Sequence, residues 1–211
     1  MTEAVLESKQ SRPSFKQQML EAREHAIVRA VNRLLARKGY DAMTVDEVAA
    51  EVGIAKASLY SHFQSKEALA TAAMVAAIRS ANTYFDTLPA DADAITKIKC
   101  ATRWSMEQAM AENMPSLPSQ NSALRTALTT NPAYLDALVH MSDRMGQWIE
   151  EAQLAGQIDP ALPPVLVFYT LLARACDPVP EFLRMTGQYT DAQIMDFVMH
   201  TCFAGLKKNG P

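Results

Sequence analysis

Cysteine is scarce in this 211-residue chain: Cys100, Cys176 and Cys202 are odd in number, far apart and never in CxxC spacing. That excludes a disulfide framework, leaves zinc or dithiol chemistry without its ligand pattern, and suits a reducing compartment, so a cytoplasmic protein is expected. Four histidines, at 25, 62, 140 and 200, lack metal-ligand spacing. No GxSxG, GxxxxGKS, HExxH or GxGxxG occurs, so no enzyme, catalytic residue, metal or cofactor is expected. The polar start MTEAVLESKQ has no apolar core and reads as no signal peptide. No run approaches eighteen apolar residues, so no membrane span and no membrane partner are expected. Alternating β-branched and aromatic runs are also missing, which argues against a sheet.

What is present is helix. Half the chain is apolar (49%) and a fifth charged (20%), enough to bury a sizeable core. The formal charge of −3 is unevenly spread: residues 1–66 carry ten basic and eight acidic side chains, the remainder ten and fifteen. A weakly basic N-terminal module on an acidic body follows. Residues 1–13 read as a polar arm ending at Pro13, with Lys9 and Arg12 able to reach a minor groove. Ser14 and Gln17 fit a capping box ahead of Ile27, Val31, Leu34 and Leu35 at helical spacing, and Gly39 fits the stop. In TVDEVAAEV, 44–52, Thr44 and Glu47 form a second box, Val45, Val48, Ala49 and Val52 make one apolar face, and Gly53 ends the helix. A third helix is expected over about 55–63. Ser65 caps a fourth, running to about residue 88. Five more follow at about 92–112, 120–130, 132–155, 163–176 and 191–207, with a loop at 113–122 and at most a short helical turn within 177–190.

The stretch GIAKASLYSHFQSKEAL, 53–69, has two sides. On a helix Leu59 and Phe63 stack one turn apart toward the core, while Lys56, Ala57, Tyr60 and Ser61 fall opposite. Two short helices joined through a glycine turn make a helix-turn-helix, whose second helix enters a major groove by its N-terminal residues. Ala55 and Ala57 permit close approach, and Lys56 can donate to guanine. Tyr60 and His62 carry polar tips suited to phosphates, and Lys66 sits in the first turn of the fourth helix, where free N–H groups face another phosphate. Residue by residue, a short helix with a solvated polar side explains much of this, and His62 lies near the boundary of the two faces.

The order Ala49, Gly53-Ile54, Ser58-Leu59-Tyr60, His62-Phe63, Ser65-Lys66-Glu67 and Leu69 resembles the DNA-binding domain of TetR-family transcriptional regulators over about residues 20–75. Ala55 departs from the serine or threonine common there, which removes a cap and one phosphate contact. The resemblance implies an all-α chain: an N-terminal three-helix helix-turn-helix domain, 1–66, then a helical ligand-binding and dimerisation domain, 67–211. It implies a homodimer on a palindromic operator in double-stranded DNA, released by a small-molecule effector of unknown identity. Thr44, Ala55, Lys56, Ala57, Ser58, Tyr60, Ser61, His62 and Lys66 are the expected DNA contacts.

Trp104, Met106, Tyr134, Leu138, Met141, Met145, Trp148, Phe168 and Tyr169 read first as core. With the resemblance they become candidates for the wall of a cavity for a small apolar or amphipathic ligand, with Arg103, His140 and Arg174 as candidate polar anchors. The last two long helices, rich in residues such as Val165, Leu166, Leu171, Ile194 and Phe197, are expected to pair with their copies in a four-helix interface. Two alternatives stay open: a helical protein-interaction adaptor that keeps the head without reading DNA, and a ligand-dependent activator.

Overall fold

The computed structural model describes residues 14–115 and 123–207. The expected arm 1–13, with Lys9 and Arg12, and residues 116–122 of the expected loop lie outside the described residues. Among the described residues every regular element is helical.

The head begins with α1, Phe15–Ala42, whose N-cap Ser14 accepts from the Gln17 N–H. One face buries Ile27, Ala30, Val31, Leu34 and Leu35. Gly39, at φ 73° and ψ 177°, leaves helical space, and only a short turn follows to Ala42. The α2 helix, Val45–Val52, starts in the expected reciprocal box: Thr44 Oγ1 accepts from Glu47 N–H, and the Glu47 carboxylate accepts from Thr44 N–H at 2.9 Å. Gly53 closes it in the left-handed region at φ 74°, donating to the Ala49 and Ala50 carbonyls. The α3 helix is Lys56–Tyr60, five residues rather than nine. Ala55 provides no side-chain cap, and past Tyr60 the chain turns, with His62 and Phe63 N–H both donating to the Leu59 carbonyl. Ser65 then caps α4, Lys66–Asp86, by accepting from Ala68 N–H.

The body comprises α5 (Ala94–Met110), α6 (Ala123–Thr129), α7 (Pro132–Leu154), α8 (Pro164–Leu172), a 3-10 turn (Ala173–Cys176), α9 (Val179–Met185) and α10 (Asp191–Ala204). Asn131 caps α7 ahead of Pro132, and Thr190 with Gln193 boxes the start of α10. The helix expected over 163–176 tightens into the 3-10 turn in its last four residues. Where only a short turn was expected, Val179–Met185 folds into α9, with Asp177 Oδ1 accepting from Val179 N–H at 3.0 Å.

Two apolar cores form. The head core joins Ile27, Val31, Leu35, Met43, Val48, Leu59 and Leu69, and takes Leu124 and Leu128 from α6. The body core joins Phe85, Ile98, Met106, Met145, Ile149, Val167 and Phe203. The α4 helix supplies both, Leu69–Met74 to the first and Ala81 and Phe85 to the second. It is therefore shared by the two cores.

Candidate nucleic-acid interface and ligand cavity

A five-residue helix cannot hold itself together in water. Leu59, fully buried, pins α3 to the head core, and Phe63 packs partly buried behind it. The flank opposite Leu59 is open. Ala55, Lys56, Ala57 and Ser61 are exposed, Tyr60 is 43% exposed and Ser58 half-buried.

Several polar groups on this surface already have partners. Lys56 Nζ donates to Asp46 at 2.9 Å, an ion pair with both side chains largely in water. Ser61 Oγ donates to the Ser58 carbonyl at 2.6 Å. Thr44 is exposed and serves the cap of α2. Lys66 Nζ lies 4.4 Å from the Tyr40 ring centroid and donates to the Asp41 carbonyl at 3.2 Å. Tyr40 in turn donates to Glu67 at 2.8 Å. Burial, then that hydrogen bond, pushes the Tyr40 phenol above its ordinary range, and the same bond is the main cause that holds Glu67 below the usual carboxylate range. This latch ties the last turn of α1 to the first of α4.

His62 departs from expectation. Its side chain is only 4% exposed, and Nδ1 lies 3.3 Å from Glu24 of α1. It braces the turn after α3 against the first helix instead of facing outward. Its counterpart in chain distance, Glu24, is thirty-eight residues away, and no local spacing marks such a contact.

A second feature lies in the body. Helices α4, α5, α7 and α8 and the 3-10 turn line a cavity of about 90 Å³. At about 10–15 Å³ per water-sized sphere, 90 Å³ holds about six to nine such units. The wall includes Trp104, Tyr134, Leu138, Met141, Met145 and Phe168, six of the nine residues expected there. Tyr84 stacks on Trp104 at 5.0 Å and steadies it. The other three fall elsewhere. Met106 is buried in the body core and lines a neighbouring recess. Trp148 packs against Phe85, their ring centroids 5.2 Å apart. Tyr169 points outward, 57% exposed. Of the expected polar anchors, Arg103 pairs with Asp196, His140 is exposed, and Arg174 pairs with Asp177 in the neighbouring recess. Sequence reasoning missed the α4 side of the wall, Met74, Ala77, Ile78, Ala81 and Phe85. Small residues recurring at helical spacing were the available signal, and they read equally well as close helix packing.

The described residues thus combine a two-sided helix-turn-helix head with a helical body that holds an apolar cavity. Residues 27–73 match the family described as "Bacterial regulatory proteins, tetR family". The match lies within the head, from the middle of α1 to the first turns of α4. The chain is 47% identical over 47 residues to the uncharacterized HTH-type transcriptional regulator YerO of Bacillus subtilis, a match covering 22% of this chain and 16% of that protein. It is 53% identical over 36 residues to IcaR of Staphylococcus aureus, the negative regulator of a biofilm operon, covering 17% and 19%. These matches thus span less than a fifth of either relative. The fold over most of the chain is similar to that of FadR of Bacillus subtilis, solved with stearoyl-CoA: TM-score 0.60, 17% identity, 86% of this chain and 98% of that one.

Proposed function

We propose that the protein is a dimeric, sequence-specific DNA-binding repressor released by a small apolar or amphipathic effector. The observation that carries this reading is the open flank of α3 on a helix held from behind by Leu59. Lys56, Ala57, Tyr60 and the Ala55 backbone meet the major groove, while Thr44, Ser58, Ser61 and Lys66 border the adjoining phosphates. Lys56 exchanges Asp46 for DNA on binding. IcaR is a negative regulator, which supports repression over activation.

One α3 spans only about 7–8 Å, so specificity needs two heads about 34–36 Å apart on a two-fold symmetric site. The body offers the surface for pairing. Val165, Leu166 and Tyr169 on α8 and Phe197 on α10 are all exposed, an apolar group that a monomer leaves in water at a cost.

The effector occupies the cavity between α4, α5, α7 and α8. FadR of Bacillus subtilis holds an acyl-CoA, an amphiphile of the class this wall suits. A ligand that binds better to another setting of α4 lowers DNA affinity by that preference, because α4 carries both the cavity wall and Lys66.

Fluorescence anisotropy with duplexes from the intergenic regions flanking the gene tests the reading. Affinity falls steeply with salt, and Tyr60→Ala and Lys56→Ala abolish or strongly weaken it. Salt-independent binding, or none on any flanking fragment, supports the adaptor reading and refutes this one.

A further inference from the structure

Among the described residues the cavity wall carries no charged side chain. Its two aliphatic hydroxyls are already engaged: Thr102 Oγ1 donates to the Ile98 carbonyl and Ser105 Oγ to the Thr102 carbonyl, both at 2.8 Å. An ion buried there would be unpaired, so the cavity takes an apolar body and nothing more.

One end is different. Met114, Ala175 and Cys176 line both this cavity and a second recess next to it. The recess is polar: Arg37, Arg174 and Arg184 face Glu112, Asp177 and Glu181. Arg174 Nη1 donates to Asp177 at 2.6 Å, and Arg184 makes two bonds to Asp191 at 2.7 Å. Arg37 of α1 donates to Glu112, just past the end of α5, so this pair joins head to body.

Two details give the recess a preferred occupant. Arg174 Nε is buried and has no acceptor among the described residues, and a buried guanidinium N–H left unmade is a standing cost that an incoming acceptor removes. The carboxylates also differ in how readily they give way. Asp177 is 5% exposed and would be stranded if displaced, whereas Glu112 is 48% exposed and can turn to water.

Building on the reading of the cavity as the effector site, we propose that the effector is a medium-chain amphiphile ending in a carboxylate. Its apolar chain fills the cavity, and its carboxylate lies in the recess, accepting from Arg174 Nε and replacing Glu112 on Arg37. A cavity of about 90 Å³ suits a medium-length chain. Binding then substitutes a ligand contact for the ion pair between α1 and the end of α5, which loosens the head from the body at the helix that backs α3. A neutral head group satisfies Arg174 but leaves Arg37 with Glu112.

Isothermal titration of the full-length protein with octanoate and 1-octanol, without DNA, tests this. Octanoate binds at least tenfold more tightly than 1-octanol, and hexadecanoate more weakly than octanoate. Arg174→Gln, its fold verified by thermal melting, brings the acid-to-alcohol ratio toward one. Glu112→Gln, a half-exposed site, tightens octanoate several-fold by removing its competitor and leaves 1-octanol unchanged. Equal binding of acid and alcohol, an unchanged ratio in Arg174→Gln, no effect of Glu112→Gln, or no heat from either probe overturns the proposal. Octanoyl-CoA binding in place of octanoate overturns it too, in favour of a carrier-linked acyl group. Anisotropy on the unliganded protein stands apart: if DNA is not bound, the regulator reading fails while the calorimetric result keeps its meaning.

Discussion

Leu59 and Tyr60 are neighbours with opposite jobs, and replacing each by alanine separates them. Leu59 is fully buried and is the buried residue of α3. Leu59→Ala deletes its contacts with the head core and leaves a cavity, at a cost of about 2–5 kcal/mol. That loss is a large share of the 5–15 kcal/mol typical of a whole domain. It falls on a segment without independent stability, so amides 55–63 lose most of their exchange protection. Tyr60→Ala removes a side chain that is 43% exposed, which leaves stability within about 0.5 kcal/mol while DNA affinity collapses. Urea melts followed by circular dichroism, with hydrogen exchange on the same samples, read both. A Leu59→Ala midpoint equal to wild type refutes the anchoring of α3. A Tyr60→Ala midpoint as low as that of Leu59→Ala shows that Tyr60 packs and does not read DNA.

Three further outcomes follow from other parts of the structure. The Glu47 carboxyl is held down to about 2, chiefly by the hydrogen bond from Lys38 and then by those from Thr44. Because the folded value lies below the ordinary 4.5, its contribution is complete above about pH 4.5 and is lost as pH falls toward 2; thermal melts across that window show a component absent from Glu47→Gln. Gly53→Ala costs about 1–2 kcal/mol through its left-handed φ alone, since nothing lies within 4 Å of the added Cβ; a neutral result in a urea melt means the turn relaxes. Leu166→Glu, at a site 53% exposed, leaves the thermal midpoint of the monomer unchanged but yields monomers in sedimentation velocity and weakens operator binding; a variant that stays dimeric places the interface elsewhere.

Local chemistry was legible, and contacts across the chain were not. The boxes at Thr44 and Thr190, the cap at Asn131 and the stop at Gly53 sit within four residues of their partners, so spacing reveals them. The length of α3 was overestimated because apolar periodicity runs on to Phe63, whereas the regular helix ends at Tyr60 and the chain turns there, the Leu59 carbonyl taking both the His62 and Phe63 N–H. His62 could not be placed from its neighbours, since Glu24 on α1 decides where it turns. Tyr169 looked like cavity lining because it follows Phe168, and adjacent residues on a helix are about 100° apart; one turned in and the other out. In each case the pattern named a buried side but not what stands across from it.

The same limit explains why charge told so little about the head. Counting gave residues 1–66 a balance of +2, but the structure pairs Arg33 with Glu51, Lys38 with Glu47, Lys56 with Asp46 and Arg37 with Glu112. These pairs lie at the surface, where water screens them and each contributes little to stability. Their effect is on recognition. A head with these four cations already on carboxylates is less attractive to duplex DNA at a distance than its count of basic residues suggests, and Lys56 must give up Asp46 before it reaches a phosphate or base. Nonspecific binding is suppressed more than specific binding, because only a fitted groove supplies enough contacts to replace every lost pair at once. Asp46→Asn isolates this effect at Lys56. It raises affinity for random duplex DNA by a larger factor than affinity for the operator, so specificity falls as binding strengthens; equal factors on both duplexes would show that the Lys56–Asp46 pair plays no part in discrimination.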